Sequence, residues 1–282
     1  MERHDSMIGV DSDGTAFDTM ERKHKQVYIP QAIRYFGLQS IQEPFTEVAA
    51  YINLYSEYRG TNRFPALELT FRMLSQREDV DHHAIPEYTA LTAFVTSGLP
   101  LSNAGLSQFA SLHPDPTLDT TLAWSEASNK LVSEQIHGLP PFAGVADSLG
   151  EASAFADIHV ISATVKNAIT REWTDGGLMD FVTTVWGQEA GPKQEQLKKA
   201  ITDTYQPDRC LMIGDALGDL AAAQANGILF YPIIPRREAE SWRRFHDEAL
   251  PKFRNHTYDG PYQFHLVTTF RDALCQPKPW EN

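Results

Sequence analysis

The chain has 282 residues, of which 42% are apolar and 22% charged, and a formal net charge of −13. That composition excludes a disordered chain and is large enough for one big core or two domains. The acidic excess works against nucleic acid as a partner, since that requires Lys and Arg on phosphates, while a local site for a small anion stays open.

In chain order, the stretch 1–6 is charged and carries no secretory pattern, so a cytoplasmic protein is expected. The apolar run Met7–Val10 ends at Asp11, and turn-formers follow at Asp13-Gly14-Thr15. It predicts a short buried strand. From Thr19 the pattern becomes helical, with helices predicted over 20–36, 45–55, 66–76, 86–97 and 118–136. Turn signals at Gly37, 59–62 and 113–116 separate them, and no strand is predicted in this stretch. The segment 138–145 holds Pro140-Pro141 between glycines and predicts a hinge.

Beyond the hinge, strands are predicted at 158–161, 181–185, 210–213 and 228–231. They alternate with helices at 146–155, 165–173, 193–204 and 217–225. Short apolar strands alternating with helices predict a parallel α/β sheet with right-handed crossovers. The first strand joins the same sheet, which makes the helical block an insertion. The expected organisation is a Rossmann-like three-layer core, 1–18 with 138–282, and an all-helical domain, 19–137. The tail from 236 predicts one or two amphipathic helices, with Trp242, Phe245, Leu250 and Phe253 at helical spacing. No apolar run approaches the ~18 residues of a membrane span, so no membrane partner is expected. The two cysteines, Cys210 and Cys275, are expected as reduced thiols. Zinc-type Cys/His spacing and internal repeats are absent from the sequence.

Ligands of an open parallel sheet bind beyond the carboxyl ends of its strands. Strand one ends in Asp11-Ser12-Asp13-Gly14-Thr15, the next in Ser162-Ala163-Thr164, and a later one in Gly214-Asp215-Ala216-Leu217-Gly218-Asp219. Lys193 opens the helix between. Four carboxylates in one cleft repel, and a hard cation such as Mg²⁺ resolves the conflict. Asp11 could then act as a carboxylate nucleophile and Asp13 as general acid and base. Lys193 and Ser162 could hold a phosphoryl group.

These four motifs, in this order and at these strand ends, resemble those of the haloacid dehalogenase-like superfamily. The resemblance spans Asp11 to Asp219, on both sides of the insertion. It implies Asp11 as nucleophile and Asp13 as acid/base, with Asp11, Asp13 (through its carbonyl), Asp215 and Asp219 around Mg²⁺. It implies Ser162, Ala163 and Lys193 at the phosphoryl group, Thr15 beside it bracing the loop, and the helical block as a cap hinged at 16–19 and 138–145. Relatives that cleave carbon–halogen bonds lack an acid two residues after the nucleophile, so Asp13 points to the phosphoryl-transfer branch. The run through Phe17-Asp18 is similar to the phosphoglycolate phosphatase and β-phosphoglucomutase type, with Ala16 where Leu is common.

In the helical block, Arg59 and Arg63 could reach a substrate anion. Against that, Asn62 could simply cap a helix with Pro65 in its first turn. The expectation is a phosphatase acting on a small phosphorylated metabolite, as monomer or homodimer. The alternatives are a phosphomutase, a phosphonate hydrolase using Lys23 or Lys25 for a Schiff base, and a non-catalytic binding module.

Overall fold

The structure, a computed structural model, describes residues 4–201 and 205–281. It divides into two compact units, Met1–Met20 with His137–Cys275, and Glu21–Ile136 with Gln276–Asn282.

The first unit is α/β and Rossmann-like. Strands β1 (Met7–Val10), β2 (Asp157–Ile161), β3 (Val182–Trp186), β4 (Cys210–Gly214) and β5 (Leu229–Pro232) form one sheet in the order β3-β2-β1-β4-β5. Every pair is parallel. The predicted strands lie within a residue or so of these. β1, β2 and β4 are buried on both faces, and β1 and β4 accordingly read as apolar runs, while β2 buries Asp157 and His159 among its apolar residues.

Alternation sends Ile8, Val10, Ile158, Val160, Leu211 and Ile213 to one face, where Leu149, Ile169 and Trp173 cover them. Met7, Cys210, Met212 and Phe230 go to the other, under Leu197 and Leu220. Each such side chain contributes ~1.5–3 kcal/mol when fully buried, so the sheet is the unit's main source of stability. Gly9 has a packing reason. A Cβ there would stand 3.1 Å from Met212 and 3.3 Å from Leu197, so glycine lets the helix Lys193–Ile201 settle on β1.

The predicted helix 193–204 runs over Lys193–Ile201, and its last residues lie outside the described ones. The tail forms Glu238–Arg244, a wider π-type turn Phe245–Ala249, Leu250–Arg254 and then Pro261–Leu274. All four apolar residues singled out in the tail are buried.

The second unit is helical, around Phe45, Phe64, Phe71, Phe94 and Trp124. These aromatic side chains are therefore core. One helix, Asn103–Leu112, escaped the sequence reading because Gly105 looks like a breaker. A Cβ at that position would stand 1.9 Å from the Pro100 carbonyl, so glycine serves close packing there. Ser102 caps the helix by accepting from Gly105 N–H. The expected domain bounds also shift at the C-terminus. Residues from Gln276 onward group with the helical unit, where Trp280 packs edge-on to Tyr51 at 5.4 Å and beneath the Arg77 guanidinium at 5.0 Å. Among the described residues, no helix is long and apolar enough to cross a membrane.

Candidate active site

β1 and β4 are neighbours, so their carboxyl ends bring Asp11 and Asp215 together. Asp11 N–H continues the ladder by donating to the Ile213 carbonyl at 3.0 Å. Asp219 returns to the same place from the first turn of the helix Leu217–Ala225. One of its oxygens accepts from Ala216 N–H at 3.1 Å, as an acid at that helix position can. The other accepts from Lys193 Nζ at 2.6 Å. Gly214 makes room, since a Cβ there would lie 2.4 Å from that of Asp219.

Carboxylate oxygens of Asp11, Asp215 and Asp219 lie within 4.8 Å of one another, and all three residues are buried. Lys193 Nζ sits 2.9 Å from Asp11 as well, and its side chain is 19% exposed. Lys193 is thus the lysine of the site, while Lys199 donates to the Ala190 carbonyl instead. Burial pushes the Asp11 carboxyl well above the usual carboxylate range, with Lys193 opposing and Asp219 and Asp215 adding to the rise. Burial also raises Asp219, again against Lys193. For Lys193, burial acts against the charge, but Asp11 and Asp219 overcome it and hold the amine protonated.

Two carboxylates about 4 Å apart repel by ~4 kcal/mol at an effective dielectric near 20. One lysine cannot neutralise three of them. An all-oxygen donor set with residual negative charge fits a hard divalent cation of the Mg²⁺ type.

The other predicted residues fall into three groups. Asp13 lies beside the cluster but outside the group of three carboxylates. Its oxygens accept from the hydroxyls of Thr19 and, at 2.9 Å, Thr164. Thr15 is fully buried and donates its hydroxyl to Asp215 at 2.6 Å. It braces the Asp215 carboxylate from the loop after Asp11. Ser162 is buried at the end of β2, where its Oγ accepts from Thr164 N–H at 3.2 Å, and Ala163 beside it is exposed.

Arg59 and Arg63 belong to the helical unit and are engaged inside it. Arg59 is buried and donates to the Leu54 carbonyl at 2.8 Å. Arg63 donates to Asn129 at 2.5 Å and lies over the Tyr28 ring at 4.9 Å. Both arginines, expected at a substrate anion, thus have partners within their own unit. Asn62 is the helix cap, accepting from Phe64 N–H at 3.0 Å.

Sequence reasoning missed the residues that hold the site. Gln196 is fully buried and bonds to both the N–H and the carbonyl of Ser162. Ser12 donates to Glu172 at 2.8 Å and accepts from the Trp173 indole at 2.9 Å, which fixes the residue after Asp11. Gln196 stands one helical turn after Lys193, and that spacing was the available signal.

Fold and cluster together define an α/β protein with a buried carboxylate–lysine site at a sheet's carboxyl edge. No family model and no curated protein matches the chain. Solved structures do. The chain is similar to a haloacid dehalogenase-like family hydrolase from Streptococcus pneumoniae, at 15% identity over 84% of this chain and 90% of that one, with a TM-score of 0.44. It is similar to a HAD-superfamily hydrolase of subfamily IA from Geobacter sulfurreducens, at 15% identity over 80% and 86%, with a TM-score of 0.39. It is also similar to a defluorinating L-2-haloacid dehalogenase, at 17% identity over 84% and 86%, with a TM-score of 0.42.

Proposed function

We propose that the protein is a Mg²⁺-dependent phosphatase acting on a small phosphomonoester through an aspartyl-phosphate on Asp11. The observation that carries this reading is Lys193 bridging Asp11 and Asp219, with Asp215 in the same cluster, at the end of β1. Asp11, Asp215 and Asp219 would hold the cation, which would neutralise charge on the transferring group.

In the first step an Asp11 oxygen attacks phosphorus in line. The P–O bond to the substrate alcohol breaks, and Asp13 supplies the proton that leaves with it. In the second step Asp13 takes a proton from water, the resulting hydroxide attacks phosphorus, and Asp11 departs as a carboxylate. Lys193 contacts the phosphoryl oxygens, while Ser162 and the exposed backbone at Ala163 line their approach. The Thr19 and Thr164 hydroxyls hold Asp13 in place.

Asp13 also separates this reading from carbon–halogen cleavage, which needs no acid there. A phosphonate hydrolase using Lys25 is disfavoured. Lys25 pairs with Glu21, and its pKa is raised by that bond, whereas a Schiff base needs the neutral amine. The reading includes a small phosphorylated metabolite as substrate, a cytoplasmic setting, and neither nucleic acid nor membrane as partner. Two free thiols and the acidic charge support it.

The test is turnover of an aryl phosphate with Mg²⁺ by the purified protein. Wild type is expected to turn over and Asp11→Asn to lose activity. Equal turnover by the two would remove Asp11 as nucleophile.

A further inference from the structure

Trp242 lies in the helix Glu238–Arg244, on the C-terminal extension that carries none of the site motifs. It is fully buried, and its indole N–H donates to the Thr15 carbonyl at 2.8 Å. Thr15 is the residue whose hydroxyl holds Asp215 at 2.6 Å. A single hydrogen-bonded line therefore runs from the extension to the carboxylate cluster.

The surroundings of Thr15 give that line a second meaning. Residues 16 and 17 lead out of β1, and residues 141–144 lead back towards the sheet. The two segments run side by side. Phe142 N–H donates to the Ala16 carbonyl at 2.9 Å, and Phe17 bridges Pro141. Trp242 touches the returning segment too. Gly144 has φ +90°, and a Cβ added to it would stand 3.3 Å from that of Trp242.

The Thr15 carbonyl lies in a loop on a residue with no solvent exposure, so it requires an internal donor. Phenylalanine at position 242 would keep the edge-on contact with Phe245, which has a 5.6 Å centroid separation, but would leave that carbonyl without the indole. An unpartnered buried carbonyl destabilises the turn 12–17, whose Ala16 and Phe17 N–H groups both donate to the Ser12 carbonyl. Loosening of that turn would displace the backbone from which the Thr15 hydroxyl reaches Asp215.

We propose that Trp242 is a positioning residue of the site: its N–H fixes the Thr15 peptide, hence the Thr15–Asp215 bond, and its ring seats both linker segments. This rests on reading Asp215 as a ligand in the phosphatase site. The extension after β5 then becomes part of the catalytic scaffold.

Trp242→Phe tests the assignment by amide hydrogen exchange and by Mg²⁺ calorimetry. The amides of Ala16, Phe17 and Phe142 are expected to exchange about five- to tenfold faster, the effect of one lost hydrogen bond, and Mg²⁺ affinity to fall by a similar factor. Strand amides of β1 and β2 are expected to keep their rates. Acceleration of strand and loop amides together would show a general loss of stability and overturn the proposal, as would no change in either.

Should the variant fail to fold, Mg²⁺ titration of wild type followed at the Trp242 indole N–H resonance decides. A shift supports the coupling, and an unmoved resonance in a protein that binds Mg²⁺ overturns it. Absence of phosphatase turnover in wild type, with these exchange and binding effects intact, would count against the proposed reaction alone.

Discussion

Gln196 and Ser162 exchange two hydrogen bonds. Ser162 N–H donates to Gln196 Oε1 at 3.1 Å, and Gln196 Nε2 donates to the Ser162 carbonyl at 2.9 Å. The same amide nitrogen reaches the carbonyls of Gly191, at 2.8 Å, and Gly187, at 3.2 Å. One buried side chain thereby ties the end of β2, the end of β3 and the turn before Lys193. Gln196→Met keeps the volume and removes all of these bonds. Unpartnered buried groups cost ~1–3 kcal/mol each, so the loops carrying Ser162 and Lys193 should lose register. Inorganic phosphate inhibition is expected to weaken about tenfold, the equivalent of ~1.4 kcal/mol. Mg²⁺ affinity should fall less, because Asp11 and Asp215 hang from β1 and β4 and only the Lys193 contacts to Asp11 and Asp219 are disturbed. Competition assays and calorimetry measure the two separately, and a parallel fall in both would contradict the division of labour.

Lys193→Met should show the site's electrostatics most directly. Removing one partner of a buried ion pair costs ~3–5 kcal/mol, because the remaining charges are left uncompensated. Asp11 and Asp219 would lose their shared cation. Thermal melting in chelator should drop by several degrees and recover in part with Mg²⁺. Turnover should fall by ~10²–10³-fold even at saturating Mg²⁺, since the lysine also meets the phosphoryl group. An unchanged melting temperature in chelator would show that Lys193 is not compensating the cluster.

The legible and illegible parts of this chain differ in physical origin. Strands buried on both faces favour apolar residues, so β1 and β4 stand out as runs ending at Asp11 and Asp215, while β2, ending at Ser162, buries Asp157 and His159 against the Tyr205 hydroxyl and the Trp186 indole. Carboxylates clustered against their own repulsion are equally conspicuous. Support residues are not. Gln196 in a helix reads as a solvated position, and only its fold neighbours make it a clamp. The helix Asn103–Leu112 hides behind Gly105, whose reason is a carbonyl in the preceding turn. Arg59 and Arg63 look like anion binders from sequence because the carbonyl and amide they answer to are supplied by folding.

Gly214→Ala is a one-methyl probe of how tightly Asp219 is seated. The new Cβ would fall 2.4 Å from the Asp219 Cβ and 2.5 Å from its carboxyl carbon, so the side chain must move. Overpacking of this kind costs ~1–3 kcal/mol. The displaced carboxylate should also release Lys193 and Ala216 N–H, both of which it now holds. Expected results are a lower melting temperature together with weaker Mg²⁺ binding. A variant that melts lower yet binds Mg²⁺ as wild type does would show that Asp219 lies outside the metal site.

The raised carboxyls of Asp11 and Asp219 fix the sign of a pH effect. An acid whose pKa is higher in the folded chain than in the unfolded one favours folding while protonated. The stability it contributes is present below the ordinary carboxylate range of ~4 and is lost as pH rises through the raised folded value. Without metal, the site should therefore cost the protein stability on going from acidic to neutral pH. Mg²⁺ binds the ionised carboxylates, so its stabilisation should run the other way, small near pH ~4 and growing towards pH ~7. At about a hundred times its dissociation constant the ion would add ~2.7 kcal/mol. Binding should also release protons in the range where these groups titrate, which calorimetry in buffers of different ionisation enthalpy detects. Melting curves with Mg²⁺ or chelator across this range make the comparison. A Mg²⁺-induced rise in melting temperature that is the same at every pH would show that Asp11 and Asp219 are already ionised in the metal-free protein.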